Sequence, residues 1–174
     1  MIALPPLALY IHVPWCVRKC PYCDFNSHQA VGDLPVAAYV QALLANAAQQ
    51  VERAQSRTID TIFIGGGTPS LLPASAYATL FDGLQQLYRF ADDIEITLEA
   101  NPGTVEQDKF RAYRELGINS LSIGIQSFSP EKLQALGRIH GRDEALRAAE
   151  AARVSGFDNF NLDLMHGLPN QSLE

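Results

Sequence analysis

Apolar and polar positions alternate along this chain in two rhythms. Short runs rich in β-branched residues recur at 8–13, 61–64, 94–98, 121–125 and 160–164, and each predicts a strand. Between them the apolar residues fall at helical spacing. Val36, Tyr39, Val40, Leu43, Leu44, Ala47 and Val51 share one face, and Leu80, Leu84 and Leu87 share another. The helix ends are also marked. Pro73 suits a first helical turn, and Thr104 followed by Gln107 predicts a capping box opening a helix that stops at Gly117. Ser129-Pro130-Glu131 opens another helix, and the Ala-rich segment 143–155 ends at Gly156. No linker, low-complexity tract or repeat interrupts this order, so residues 1–174 read as one unit.

Strands alternating with helices imply parallel strands joined by right-handed crossovers, in a doubly wound sheet or a β/α barrel. The strand composition decides between them. Glu95, Thr97 and Glu99 alternate with Ile94, Ile96 and Leu98; Ser120, Ser122, Gly124 and Gln126 alternate with Leu121, Ile123 and Ile125. Asn159, Asn161 and Asp163 do the same with Phe160, Leu162 and Leu164. A doubly wound sheet is covered on both faces and should read as continuous apolar runs. One polar face points instead to a partial (β/α) barrel of the TIM type, open, with a hydrophilic interior. Five strands are visible and Ser172 resembles the cap of a helix that does not follow, so the chain is expected to be the N-terminal part of an incomplete barrel. The fifth strand would then be a raw edge that further chain must cover.

Composition narrows the partners. With 47% hydrophobic and 18% charged residues the chain is globular, and a net charge of −6 leaves no basic field for nucleic acid or anionic lipid. The apolar stretch 1–13 lacks a basic n-region and a cleavage site and is interrupted by Pro5 and Pro6, so it reads as a strand rather than a signal peptide. No apolar run approaches the roughly 20 residues of a membrane helix, and a soluble, cytoplasmic protein is expected.

The chemistry begins after the first strand. All three cysteines, Cys16, Cys20 and Cys23, stand in a Cys-x-x-x-Cys-x-x-Cys segment too short for a disulfide framework. Three thiolates on one loop can each reach one iron of a cubane cluster, leaving the fourth iron without a protein ligand. A zinc site completed by His12 or His28 is the alternative. The second strand runs into Gly65-Gly66-Gly67-Thr68-Pro69-Ser70, which suits either a tight strand-to-helix turn or a close backbone approach to a ligand. It is not a dinucleotide fingerprint, because Ser70 stands where the third glycine is needed. Glu99, Gln126 and Asp163 end the remaining strands on the polar face, and in β/α barrels such ends converge on one pocket.

Together these segments resemble the radical S-adenosylmethionine (SAM) superfamily. Tyr10 with His12, Gly65-Gly66-Gly67-Thr68-Pro69, Glu99-Ala100-Asn101-Pro102, Ile125-Gln126-Ser127, Leu136-Gly137-Arg138-x-His140 and Asp163-Leu164-Met165-x-Gly167-Leu168-Pro169 resemble the oxygen-independent coproporphyrinogen III oxidase family. The resemblance covers essentially the whole chain. It implies a 4Fe-4S cluster on Cys16, Cys20 and Cys23, with SAM chelating the open iron. It further implies SAM contacts from Tyr10, Tyr22, Gly66, Gly67, Thr68, Glu99, Gln126, Arg138 and Asp163. In that scheme Glu99 and Asp163 take hydroxyl or amino groups and Arg138 meets the carboxylate or ribose; no residue is assigned as a catalyst. One departure matters. The oxidase carries a further cysteine two positions beyond the third, where this chain has Phe25. The Cys-Asp-Phe-Asn form resembles the haem-chaperone branch of the family, whose members bind haem through a C-terminal region and pass it to acceptor proteins. A haem chaperone on a radical SAM scaffold is therefore expected. A coproporphyrinogen oxidase acting on the porphyrinogen and a zinc-stabilised structural domain are the alternatives.

Overall fold

The computed structural model describes residues 4–104, 107–168 and 170–172. The first strand is β1 (Leu7–Val13), and two two-residue strands, β2 (Trp15–Cys16) and β3 (His28–Gln29), lie in the cysteine segment that follows it. Then come α1 (Val36–Ala54), β4 (Ile59–Gly66), α2 (Ala74–Leu87), β5 (Phe90–Ala100) and α3 (Gln107–Glu115). The last are β6 (Ser120–Gln126), α4 (Pro130–Ala135), α5 (Arg142–Val154) and β7 (Asn159–Leu164). All five expected long strands are present. β4 and β5 run beyond their apolar cores, and β2 and β3 are too short to leave a periodic signal.

Helix boundaries follow local chemistry. Pro73 stands at the cap just before Ala74. Ser129 caps α4, its side chain accepting from the Lys132 N–H at 3.4 Å, with Pro130 in the first turn. At α5 the Gly141 N–H donates to the Glu144 carboxylate at 2.6 Å. The Thr104 side chain falls outside the described residues, so its expected capping box does too.

The sheet runs β1-β4-β5-β6-β7, every neighbouring pair parallel. Each strand lies beside the next one of the sheet in the chain, without the reversal of order that makes a doubly wound sheet. Crossovers of one hand then put every helix on the same face. The core agrees. Ile11, Val13, Ile62, Ile64, Leu98, Leu121 and Ile123 pack in a single cluster with Val40 of α1, Leu80 and Leu84 of α2, Phe110 and Tyr113 of α3, and Ala148 of α5. The opposite face bears Tyr10, Phe63, Glu95 and Asn161, all exposed. This is the partial β/α barrel that the polar alternation predicts. Among the described residues β7 is paired on one side only. No described helix is long and apolar enough to cross a membrane.

Candidate functional site

The C-terminal ends of the strands surround a cavity of about 320 Å³. Its floor and walls come from residues that are distant in sequence, and its position follows from the parallel sheet, whose chain reversals at this end are loops.

The glycine turn after β4 forms one wall. Gly66 has φ +115°, a conformation that disfavours any side chain, and a Cβ on Gly67 would sit 2.6 Å from the Trp15 carbonyl oxygen. This closeness ties the turn to the cysteine loop. The Gly67 N–H donates to Val13 O at 2.6 Å, the Thr68 N–H to Trp15 O at 2.7 Å, and the Gly66 N–H to Glu99 Oε2 at 3.0 Å. Three successive amides are thus engaged. An anion needs donors and finds few here, whereas an ammonium needs acceptors, which the Glu99 carboxylate supplies.

The cysteine loop forms the second wall. Cys16, Cys20 and Cys23 are free and all line the cavity. Hydrogen bonds within the segment hold the loop: Cys23 N–H donates to Cys20 O at 3.0 Å, Ala30 N–H to Cys16 O at 2.8 Å, and Lys19 Nζ to Ser27 O at 3.0 Å. Among the described residues no three His, Cys, Asp or Glu side chains converge on a single-ion site. Thiolates spread around a cavity fit a group larger than one ion, as a cubane cluster is. The zinc alternative also wants a fourth ligand. His12 has both ring nitrogens engaged, with Tyr10 Oη at 2.9 Å and Asn26 O at 2.8 Å, while His28 is exposed and off the cavity wall.

Strand ends complete the enclosure. Glu99 is half-buried, and burial, with the nearby Asp163 carboxylate adding to it, raises its pKa above the ordinary carboxylate value; the Gly66 N–H and His12 pull the other way. Asp163 accepts from Ser122 Oγ at 2.9 Å and from Asn161 Nδ2 at 2.5 Å. Gln126 ends β6 at φ +69°, a left-handed conformation rare for a residue with a side chain and of the kind concentrated at binding sites. Arg138 arrives from α4, where Gly137 at φ +67° reverses the chain, and its Nη2 donates to Asn101 Oδ1 and Gly124 O, both at 2.6 Å. Tyr22 stands beside it, 3.5 Å from Nη1, its hydroxyl pushed up to about 12 mainly by burial.

The cavity therefore brings together Cys16, Cys20, Cys23, Tyr22, Gly66, Gly67, Thr68, Glu99, Gln126, Arg138 and Asp163. Tyr10 is not on its wall. It lies earlier along β1 on the same face of the sheet, stacked against Phe63 at 6.3 Å, and reaches the site through its hydrogen bond to His12 and the charge of Glu99. Three further polar residues stand on the wall: Arg18, Asn101 and Ser122. Ser122 belongs to the polar alternation of its strand and Asn101 to the Glu99-Ala100-Asn101-Pro102 motif, yet neither was assigned to the site from sequence, and Arg18 lies in an aperiodic loop that gives no such signal.

Known proteins match this arrangement. Residues 10–174 match the radical SAM superfamily. The chain is 61% identical over its whole length to the heme chaperone HemW of Escherichia coli, and 37% identical over 95% of its length to HemW of Bacillus subtilis. It spans 46% and 44% of those proteins, so it covers about half the length of the curated relatives it matches. Among solved structures, coproporphyrinogen III oxidase (HemN) from Escherichia coli, described as a radical SAM enzyme, superposes with a TM-score of 0.86 at 31% identity, over 95% of this chain and 38% of that one. A likeness to anSMEcpe with bound AdoMet, at TM-score 0.65 and 18% identity over 90% of this chain and 43% of that one, concerns the fold alone. Because the superfamily match runs over residues 10–174, nearly the whole chain, the chain belongs to the radical SAM superfamily.

Proposed function

We propose that the cavity holds a 4Fe-4S cluster on Cys16, Cys20 and Cys23 with SAM laid across the strand ends, and that the whole protein uses this scaffold as a haem chaperone. Residues 1–174 would be the N-terminal part of the core domain, with the haem site in chain beyond them. The observation that carries the chaperone reading is Phe25. Its ring lines the cavity and is 59% exposed at the position where the oxidase has its further cysteine. The name shared by the curated relatives supports the same reading.

When bound, the cluster supplies a low-potential electron and an open iron position for SAM. The chain's own residues orient the ligand. Glu99 and Asp163 present carboxylates to amino and hydroxyl groups, Arg138 faces a carboxylate or ribose, and the Gly66–Thr68 turn fixes the depth of the pocket. Tyr22 keeps its proton at neutral pH and serves as a neutral donor. The unpaired cysteines suit a reducing compartment, and we place the protein in the cytoplasm.

The test is haem binding by the full-length protein under reducing conditions, after anaerobic reconstitution with iron and sulfide. Stoichiometric haem with transfer to an acceptor protein supports the chaperone; no haem uptake removes it. The likeness to the oxidase structure favours a second reading, oxidative decarboxylation of coproporphyrinogen III, which anaerobic turnover with SAM would establish.

A further inference from the structure

Asn101 follows the last residue of β5, on the same side of the strand as Glu99, and lies between two groups of the site. Its Nδ2 donates to Thr68 Oγ1 at 3.0 Å, and its Oδ1 accepts from Arg138 Nη2 at 2.6 Å. The two bonds fix which way the amide points. The same Nη2 gives its second hydrogen to Gly124 O at 2.6 Å, so both of its protons are committed and the guanidinium plane is set. Nη1 is thereby turned to the cysteine loop, where its two hydrogens meet Cys20 Sγ at 3.6 Å, within hydrogen-bond range for sulfur, and Tyr22 Oη at 3.5 Å. The arrangement is not the one that best satisfies Arg138, whose buried Nε has no partner among the described residues. A guanidinium held this way faces the cysteine loop at some cost to itself.

We propose that Asn101 is a positioning residue: it aims Arg138 at the Cys20 thiolate, and that N–H···S hydrogen bond raises the reduction potential of the cluster. The inference rests on the cluster reading of the three cysteines. A cationic donor at a ligating sulfur stabilises the extra negative charge that one-electron reduction adds, so hydrogen bonds to the sulfurs move cluster potentials upward. Without the Asn101 carbonyl, the guanidinium keeps only Gly124 O as an anchor for Nη2 and can rotate away from Cys20. Arg138 thus joins the strand-end wall to the cluster electrically as well as sterically.

The experiment is a dithionite-poised redox titration, read by electron paramagnetic resonance, on the full-length reconstituted protein. Wild type, Asn101→Leu, Arg138→Met and the double variant are compared, with iron and sulfide counted in each. Each single variant is expected to load its cluster and to titrate at a more negative potential, by about tenfold in the reduction equilibrium, or about 59 mV for one electron. The double variant should titrate with Arg138→Met alone, because Asn101 acts through the arginine. Should Asn101→Leu not fold, Asn101→Ser carries the same expectation. A loaded cluster whose midpoint is unmoved in the Asn101 variant, or shifts that add in the double variant, would overturn the inference while leaving the cluster reading intact. A wild type that binds zinc and no sulfide would overturn both.

Discussion

The two faces of the sheet obey opposite rules although they are built from the same strands. On the helix-covered face Ile64, Leu98 and Ile123 are 0% exposed. One residue away along the same strands, Phe63 is 39% exposed, Glu99 is half-buried, and Ser122 reaches out to Asp163. A strand turns successive side chains to opposite sides, so one backbone serves two ends. Apolar burial on the outer face holds the fold, and the inner face is free to carry groups that a packed core would reject. The two should fail separately.

Cys20→Ala is the most complete break on the inner side. Wild-type full-length protein should hold about four irons and four sulfides, lost in the variant. Urea unfolding of the apo protein should shift by less than about 0.5 kcal/mol, because the side chain is only partly buried and lies outside the hydrophobic core cluster. Leu98→Ala reverses the pattern. Removing a fully buried side chain from the centre of the core should cost about 2–5 kcal/mol in the same urea titration. Cluster content per folded chain should remain at the wild-type value.

Gly67→Ala sharpens the comparison because it touches both systems. The added Cβ must push Trp15 away, which strains the β4 turn and displaces the start of the cysteine loop. We expect a loss of about 1–3 kcal/mol in unfolding free energy together with reduced iron incorporation. A fall in one without the other would show that the turn and the loop are not mechanically joined.

This division also explains what could be read from sequence. The outer face and the strand-end groups were legible because both follow the two-residue repeat: Ile94, Ile96 and Leu98 fall out of phase with Glu95, Thr97 and Glu99. Parity thus favoured a partial barrel over a doubly wound sheet before any strand order was known. Other features leave no such trace. The engagement of the Gly67 and Thr68 amides by Val13 and Trp15 is a contact between segments more than 50 residues apart, and no local pattern encodes it. Tyr10 came from a motif rather than from the repeat: β1 leaves it exposed on the inner face, off the cavity wall, with its ring on Phe63 and its hydroxyl on His12. Arg138 reaches the wall because Gly137 reverses the chain after α4, and a glycine beyond a helix announces the reversal without its direction.

The subtlest contrast lies within Glu99, whose carboxylate belongs to the inner face while its neighbours Leu98 and Ala100 belong to the core. Burial raises its pKa from an ordinary value of 4.5, so the folded chain holds this proton more tightly than the unfolded chain does. Its contribution to stability is therefore full below the unfolded pKa and is lost as pH rises through the folded one. Ligand binding should run the other way. An ammonium pairs with the ionised carboxylate, so the proton taken up on acidification must leave before SAM can bind, and affinity should fall as pH drops through the raised pKa. Isothermal titration of SAM into the reconstituted full-length protein should show this slope, and Glu99→Gln should weaken binding about tenfold at neutral pH and flatten it. A slope that survives in the variant would assign the titration to another group, with Asp163 across the cavity next to be replaced.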